Sequence, residues 1–288
     1  MCLFPALFFF FSTAIAKEYV TCEFCGQLGN QMWTAAAAIG YAMEHDCEAV
    51  FPNMGKAING EFNYRYFFHR LNSSPAPEDT EFHDCVDYLS HKYAPIPYEQ
   101  GKNLRLIGHF QSPAYFEKYS EKIRETFAPT QEILDEIYQK YGVLLEEPTV
   151  AVHVRTYIPD GRNPNQNIGG ASWDYFITAM DHFPPDIHFL VFSDSMDWTK
   201  AHFPKRGKKV TFVEGNPYYI DFYLMSLCDN FVISPESTFS WWAAYLNRNP
   251  NKVVIVPNSY AGIFDNDMIP SGWLKLPKTA PFYFTRQP

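Results

Sequence analysis

The sequence predicts an α/β fold made of two halves. Apolar strand-like segments alternate with helix-like segments along most of the chain, which is the pattern of βα units. The first strand leads through a short glycine-containing loop into an alanine-rich helix, and the pattern changes after Glu146-Glu147-Pro148. The 288 residues are enough for one large domain or two smaller ones, since domains commonly contain ~100–200 residues.

The composition excludes two broad classes of protein. Hydrophobic residues make up 47% of the chain and charged residues 19%, which is the balance of a folded protein and not of a disordered one. The 23 Lys and Arg residues against 32 Asp and Glu residues give a formal net charge of −9. Sequence-independent binding to nucleic acid depends on basic side chains that neutralise phosphates, so we expect no nucleic-acid partner.

The first half opens with the order strand, glycine loop and helix, predicted at residues 19–25, 26–30 and 31–45. We predict an α/β domain over residues 17–127 and a linker helix within residues 128–148. Further predicted elements are a strand at 104–110, a helix at 115–127 and an amphipathic helix at 130–141.

The second half, residues 149–288, has the regular alternation of a doubly wound domain. Its predicted strands are 149–155, 187–193, 209–213, 231–234 and 252–257, and its predicted helices are 173–183, 219–228 and 238–246. Ligands of such sheets bind beyond the carboxyl ends of the strands. Residues that follow these strands are therefore the first candidates for a functional site.

Residues 1–16 carry no charge, are mostly apolar and end in Ala14-Ile15-Ala16. A small-x-small ending is typical of signal-peptide cleavage sites, and the segment is shorter than the ~20 apolar residues of a spanning helix. We interpret it as a signal-like or membrane-associating segment and expect a membrane-associated, secretory or periplasmic protein. A cytoplasmic protein with an extended start is the alternative.

The segment Gly26-Gln27-Leu28-Gly29-Asn30-Gln31 lies at the first strand-to-helix turn. Glycines let the backbone approach a ligand closely, and a helix N-terminus favours negative charge. From the spacing alone, an ordinary tight turn explains the two glycines equally well.

His153 and Arg155 end a predicted strand. Arginine suits a diphosphate because its planar guanidinium binds two phosphate oxygens and stays charged. The following loop, residues 156–170, is rich in Pro, Gly and Asn and is suited to fold over a ligand. The alternatives are a surface ion pair for Arg155 and a core position for His153.

Polar residues follow two further predicted strands. Asp194 comes directly after strand 187–193, and Ser237 and Thr238 begin a helix after strand 231–234. A carboxylate accepts hydrogen bonds from a nucleoside, and a helix start presents hydroxyl and N–H groups to an anion. The alternative is ordinary helix capping.

Two short patterns are associated with metal ions in other proteins. Cys22-Glu23-Phe24-Cys25 is a CxxC without a second ligand pair, whereas a structural zinc site needs four ligands. Asp265-Asn266-Asp267 is a DxD within a polar loop, and Asn and Asp are common turn residues. We interpret the first as structural and the second as a turn, and expect no metal site.

Six short segments, taken together and in this order, resemble glycosyltransferase family 11, the α-1,2-fucosyltransferases. The similarity extends from about residue 19 to about residue 260. The segments are Gly26-Gln27-Leu28-Gly29-Asn30-Gln31-Met32, Gly108-His109-Phe110-Gln111-Ser112-Pro113-Ala114-Tyr115-Phe116, Val152-His153-Val154-Arg155, Phe192-Ser193-Asp194, Asp221-Phe222-Tyr223-Leu224-Met225-Ser226 and Ser237-Thr238-Phe239-Ser240-Trp241-Trp242.

The resemblance implies a GT-B-like fold, in which two Rossmann-like domains face each other across a cleft and the C-terminal half holds GDP-fucose. It also implies inverting transfer of L-fucose to the 2-hydroxyl of a galactose-terminated glycan, without a metal or cofactor. On this basis the expected catalytic residues are Arg155, His153 and Asp160; the donor contacts are Arg155, Asp194, Asp221, Ser237, Thr238 and Phe239; and the acceptor side of the cleft is formed by Gly26, Gly29, Asn30 and Gln31.

The chain departs from the family pattern directly after Arg155. Thr156 and Tyr157 stand there, where the family has a second Arg followed by Gly-Asp. Arg155 then contacts the diphosphate without that neighbour, and Arg162 is a candidate substitute.

Three questions stay open at this point. Asp160, His153 and Glu236 are all candidates for the general base. A transferase of the same fold that uses another nucleotide-sugar is an alternative function. A secreted carbohydrate-binding protein without catalysis is another.

Overall fold

The computed structural model describes residues 17–54, 64–87, 91–159, 161, 171–259 and 266–278. Asp160, Arg162, Asp265 and the signal-like segment at residues 1–16 lie outside these residues, so their predicted roles stay predictions. None of the helices in the described residues combines the length and the apolar character that crossing a membrane requires.

The first half contains a four-stranded parallel sheet. Its strands are β1 (Tyr19–Cys22), β2 (Glu48–Ala49), β3 (Phe82–Asp87) and β4 (Asn103–Gly108). The strand order is β2-β1-β4-β3, and every pair is parallel. Helix α1 (Leu28–His45) connects β1 to β2, and α2 (Ser120–Thr126) and α3 (Gln131–Tyr141) follow β4.

The second half contains a six-stranded parallel sheet. Its strands are β5 (Thr149–Val154), β6 (His188–Ser193), β7 (Lys209–Phe212), β8 (Asn230–Val232), β9 (Val254–Pro257) and β10 (Leu274–Leu276). Its helices are α4 (Trp173–Asp181), α5 (Met196–His202), α6 (Tyr218–Leu227) and α7 (Thr238–Leu246). The order β10-β9-β8-β5-β6-β7 is that of a doubly wound sheet. Strands β5 to β7 extend the sheet to one side, and strands β8 to β10 extend it to the other.

Two parallel sheets in one chain confirm the predicted α/β fold. β5 and β9 are buried along their whole length, because helices cover both faces of such a sheet and leave no polar face for water. This explains why their sequences are nearly continuous apolar runs instead of alternating ones.

Sequence reasoning missed three strands and misjudged one helix. β2 and β10 are two and three residues long, and β3 has the sequence FHDCVD with mostly exposed or half-buried side chains, so none carries an apolar pattern. The predicted helix at 115–127 is wrong in its first part, which forms two 3₁₀ turns before α2. Phe116 breaks the helix with φ −147°, and its buried ring packs on Trp33 and Trp242.

The two halves meet where α1 crosses α7. The indole Nε1 of Trp242 donates a hydrogen bond of 3.0 Å to the carbonyl oxygen of Gly29. The ring of Trp33 on α1 lies 4.1 Å from that of Trp241 and 5.1 Å from that of Trp242. A Cβ atom built on Gly29 would lie 2.3 Å from Thr238 Oγ1 and 2.7 Å from the Thr238 carbonyl carbon, so only glycine permits this approach.

We expect Gly29→Ala to destabilise the protein by about 1–3 kcal/mol, the usual cost of inserting a methyl group into a packed contact. The nearest atoms include Thr238 backbone, so the two helices must separate to make room. Equilibrium urea unfolding measures the loss.

Gly142→Ala is the matched control, because no atom lies within 4 Å of a Cβ built there and its φ of −50° suits alanine. Its free energy of unfolding should equal the wild-type value or exceed it by up to about 1 kcal/mol, because alanine reduces the conformational freedom of the unfolded chain. Equal stability of the two variants would contradict the assigned contact.

Candidate functional site

A cavity of about 580 Å³ lies between the carboxyl ends of the two sheets. Its lining residues come from loops and helix starts of both halves: Gln27, Leu28, Gly29, Asn30, His91, His109, Gln111, His153, Arg155, Tyr157, Phe192, Ser193, Asp194, Tyr218, Asp221, Glu236, Ser237, Thr238, Phe239 and Met268. The structure therefore brings most of the predicted site residues of the two halves to one cavity.

The strand order explains why these loops meet. Successive strands are added on one side of the first sheet and then on the other, with the change between β1 and β4. In the second sheet the corresponding change lies between β5 and β8. Loops on either side of such a change diverge to opposite faces of the sheet and leave a crevice that binds ligands. Here the two crevices face each other and form one cavity.

Asp194 holds the loop that follows β5. Its Oδ1 accepts hydrogen bonds from the backbone N and the hydroxyl of Thr156, at 2.7 and 2.9 Å. Its Oδ2 accepts from Tyr157 N at 2.8 Å and from Arg155 Nη1 at 2.7 Å. The capping alternative is not what is observed, because the N-cap of α5 is Ser195. The carboxylate thus positions the predicted diphosphate-binding arginine.

Arg155 is held from two more directions. Its backbone N donates to Ser234 Oγ at 2.9 Å, and its guanidinium carbon lies 4.5 Å from the centre of the Tyr157 ring. Attraction between a cation and an aromatic face fixes the orientation of the guanidinium. The Arg155 side chain remains 25% exposed, so it can still contact a ligand in the cavity.

Tyr157 and Glu236 both have left-handed backbone, with φ of +58° and +60°. The Tyr157 hydroxyl donates to the Glu236 carbonyl oxygen at 2.8 Å, which ties the two loops together. Glu236 Oε1 also forms an ion pair of 2.8 Å with Lys278 Nζ, and these side chains are only 6% and 9% exposed. The negative charge of this candidate general base is therefore balanced by the positive charge of buried Lys278, a residue that sequence reasoning missed.

His153 lies on the cavity wall but is only 5% exposed. Its Nδ1 is 3.3 Å from the hydroxyl of Ser237. Burial lowers the pKa of His153 to about 4, because desolvation penalises the charged imidazolium. The imidazole is therefore neutral at physiological pH and adds no charge beside Arg155.

The start of α7 forms another part of the wall. Ser237 is its N-cap and accepts a hydrogen bond of 3.4 Å from Ser240 N. Thr238 and Phe239 line the cavity in the first turn, where backbone N–H groups have no partner within the helix. Such N–H groups and the helix dipole favour an anion.

Asp221 lines the cavity from the first turn of α6. Asn216 Nδ2 donates to its Oδ1 at 2.8 Å. Burial raises the pKa of the Asp221 carboxyl to about 6, because the charged form loses hydration.

The four residues predicted for the acceptor side separate into two pairs. Gly29 and Asn30 line the cavity, whereas Gly26 and Gln31 do not. Gly26 has a φ of +69°, and the buried Gln31 side chain donates to its carbonyl oxygen at 2.8 Å. Gly26 and Gln31 therefore shape the turn that presents Asn30 to the cavity.

Sequence reasoning missed a group of residues on the wall of the first half. His109 and Gln111 follow β4, in a segment that resembled the family without a role being assigned, and His91 precedes it. His109 Nε2 lies 3.2 Å from Cys25 Sγ, and His91 Nδ1 lies 3.1 Å from Met268 Sδ. Burial lowers the pKa of both histidines.

Among the described residues no group of three or more His, Cys, Asp or Glu side chains is arranged to hold a metal ion. In the DxD segment, Asn266 Oδ1 accepts from Met268 N at 3.2 Å, a local bond typical of a turn. Asp267 Oδ2 accepts from Tyr93 N at 2.8 Å, which joins this turn to the first half.

Two curated proteins from Escherichia coli are similar in sequence. An alpha-1,2-colitosyltransferase is 28% identical over 186 residues, which are 61% of this chain and 63% of that protein. The O-antigen biosynthesis glycosyltransferase WbnK is 28% identical over 192 residues, which are 59% of this chain and 60% of that protein. The similarity thus spans less than two thirds of each relative.

A solved structure shares the fold. A mutant of Arabidopsis thaliana FUT1 in complex with GDP superposes with a TM-score of 0.50 and 14% identity, over 85% of this chain and 71% of that chain. At this identity the likeness concerns the fold alone, and it agrees with the GT-B arrangement of two parallel α/β domains.

The family model described as Glycosyl transferase family 11 matches residues 5–276. Because the match covers nearly the whole sequence, this chain belongs to glycosyl transferase family 11.

Proposed function

We propose that this protein is an inverting glycosyltransferase that moves L-fucose from GDP-fucose to the 2-hydroxyl of a galactoside. The observation that carries the proposal is the fixed position of Arg155, which Asp194 and Tyr157 hold in the cavity that the start of α7 also lines. A cation and a helix N-terminus that line one cavity suit a diphosphate. The two E. coli relatives are described as sugar transferases, which supports the same class.

In the proposed reaction, the acceptor hydroxyl oxygen forms a bond to the anomeric carbon as the bond from that carbon to the diphosphate oxygen breaks. The electron pair leaves with GDP, so negative charge develops on the phosphates, and the proton of the acceptor hydroxyl passes to water. Arg155 and the N–H groups of the first turn of α7 stabilise that charge, and preorganised donors of this kind commonly contribute ~10²–10³ in rate. We propose that they serve in place of a metal ion.

The remaining donor contacts follow from the lining residues. We propose that the Asp221 carboxylate accepts hydrogen bonds from the guanine base. Neutral His153 holds Ser237 and so positions the start of α7. FUT1, which shares this fold, has been solved with GDP, in agreement with a guanine nucleotide as the donor's carrier.

A second donor has support from one comparison. The 28% identical E. coli relative is an alpha-1,2-colitosyltransferase, so GDP-colitose is the alternative to GDP-fucose at the same site. A binding protein without catalysis would not need a cation held at the switch point by a carboxylate, Asp194, that also binds the two residues after the cation.

We expect Arg155→Ala to lower kcat for transfer by about 10²–10³-fold, because the charge that develops on the leaving diphosphate loses its cationic partner. The fold should be retained, since Asp194 keeps three of its hydrogen bonds to Thr156 and Tyr157. Release of GDP from GDP-fucose in the presence of a panel of galactosides measures the rate, and GDP-colitose and UDP-sugars test the donor.

Arg248→Ala is the matched control, because Arg248 is 57% exposed and pairs with Glu121 away from the cavity. Its rate should equal that of the wild type. A transfer rate of Arg155→Ala equal to that of the wild type would refute the assignment of Arg155. Use of UDP-sugars but not of GDP-sugars by the wild-type protein would refute the proposed donor.

We expect GDP affinity to fall in acid as Asp221 becomes protonated. A carboxyl with a pKa of about 6 is charged above that pH, and only the charged form accepts two hydrogen bonds from guanine. Protonation of Asp221 alone makes GDP binding about tenfold weaker at pH 5 than at pH 7.

The stability of the free protein has the opposite dependence on pH. Because the pKa of Asp221 is raised above the unfolded value of 3.8, this group stabilises the fold at low pH, and the contribution is lost as the pH rises through 6.

Titration calorimetry of GDP with wild type and Asp221→Asn at several pH values tests this point. A phosphate of GDP itself titrates near pH 6, so the ratio of the two affinities is the informative quantity. The ratio should approach one as the pH falls to 5. A ratio that does not change with pH would contradict the role of Asp221.

A further inference from the structure

An acidic residue, Glu236, lies in the wall of the cavity directly before the start of α7. Glu236 lines the cavity, and the next residue, Ser237, is the N-cap of the helix. The first turn of α7 is part of the proposed diphosphate site. A negative charge at this position is unfavourable for an anionic ligand, because like charges repel each other.

A carboxylate at this position also competes with the ligand if its charge is not compensated. The dipole and the unpaired N–H groups of a helix N-terminus attract negative charge within about one turn. Because the Glu236 side chain is attached to the same chain, it reaches this turn without the loss of translational freedom that a ligand from solution incurs. An uncompensated Glu236 is therefore an internal competitor of the diphosphate.

Lys278 compensates this charge. Its Nζ lies 2.8 Å from Glu236 Oε1, and both side chains are buried. Lys278 comes two residues after the end of β10 and is not among the residues that line the cavity. The lysine therefore acts on the cavity wall through Glu236 and does not face the ligand itself.

Stability alone gives little reason to retain this ion pair. Two buried charges lose their hydration, and the replacement of such a pair by apolar residues of similar volume is often neutral or stabilising. The pair is also not needed to cover β10 with water-excluding side chains, since Leu274 and Lys275 of this edge strand are exposed. The position of the pair in the wall of an anion-binding cavity supplies a functional reason instead.

We propose that Lys278 is a positioning residue for the donor: it holds and neutralises the Glu236 carboxylate, so that the first turn of α7 stays available to the diphosphate. This inference rests on the proposed function and adds to it a requirement for the segment after β10. Lys278 acts through Glu236 and does not contact the donor.

The experiment measures GDP affinity by titration calorimetry in wild type, Lys278→Met, Glu236→Gln and the double variant. Both substitutions keep the approximate size of the side chain and remove its charge. We expect Lys278→Met to bind GDP about tenfold or more weakly than wild type, because the uncompensated carboxylate repels the phosphates. Glu236→Gln should bind at least as tightly as wild type, and the double variant should bind within about threefold of Glu236→Gln.

Two further variants separate this effect from folding. Lys275→Met removes an exposed lysine of β10, from the same segment, and should bind GDP as wild type does. Removing one partner of a buried ion pair destabilises a protein, so Lys278→Gln is the second test of the lysine: its amide still donates to the carboxylate, and we expect the same loss of GDP affinity. Far-UV circular dichroism verifies that each variant is folded.

Rescue of GDP affinity by the second substitution distinguishes charge compensation from a structural role, because a loss caused by displacement of the segment after β10 would persist in the double variant. Binding is the readout, so a role of Glu236 in proton transfer does not alter it.

Equal GDP affinity in wild type and in a folded Lys278→Met or Lys278→Gln variant would overturn the inference. So would a double variant that binds GDP tenfold more weakly than Glu236→Gln, or a wild-type protein that does not bind GDP. A wild-type protein that binds GDP but does not release it from GDP-fucose with any galactoside would instead refute the proposed function, and the GDP affinities would still decide the role of Lys278.

Discussion

The contact between α1 and α7 is the constraint on which the site depends. Gly29 lies against Thr238 and accepts a hydrogen bond from Trp242, so the first turns of two helices from different halves are in direct contact. Both turns also line the cavity. Backbone packing that allows no side chain at residue 29 therefore fixes how closely the two halves approach each other beside the cavity. Buried tryptophans extend this contact and resist any sliding of one helix along the other.

Within that frame, a net charge of −9 does not prevent the binding of an anion. The negative charge of Asp194 is compensated by Arg155 and by the N–H groups of the next two residues. The charge of Glu236 is compensated by Lys278. These two acids of the cavity wall are thus compensated locally. Repulsion by the rest of the acidic surface is screened over about 10 Å at ordinary ionic strength, so the local arrangement decides which ligand the cavity attracts.

Sequence reasoning predicted the parts of the fold and site that depend on local pattern. The apolar run of β5 and the helix start at Ser237 can each be recognised from a few consecutive residues. The rule that ligands bind beyond the carboxyl ends of parallel strands made Arg155 a candidate site residue, and Arg155 lines the cavity. The function of Asp194 was not accessible, because its partners Thr156 and Tyr157 lie nearly forty positions away. Lys278 was missed for the same reason. Its significance arises from a contact with Glu236 that only the folded chain creates.

The two left-handed residues explain how the site can be ready before a ligand arrives. Tyr157 and Glu236 each adopt a conformation that costs a non-glycine residue ~1–3 kcal/mol, and they are joined by the hydrogen bond from the Tyr157 hydroxyl to the Glu236 carbonyl. Such strain persists only where surrounding contacts determine the backbone, and here Asp194 and Lys278 provide those contacts on either side. The contacts formed on folding thus hold the Tyr157 ring beneath the Arg155 guanidinium. Electrostatic stabilisation is most effective when the charged group does not have to reorganise during the reaction, and these contacts meet that condition.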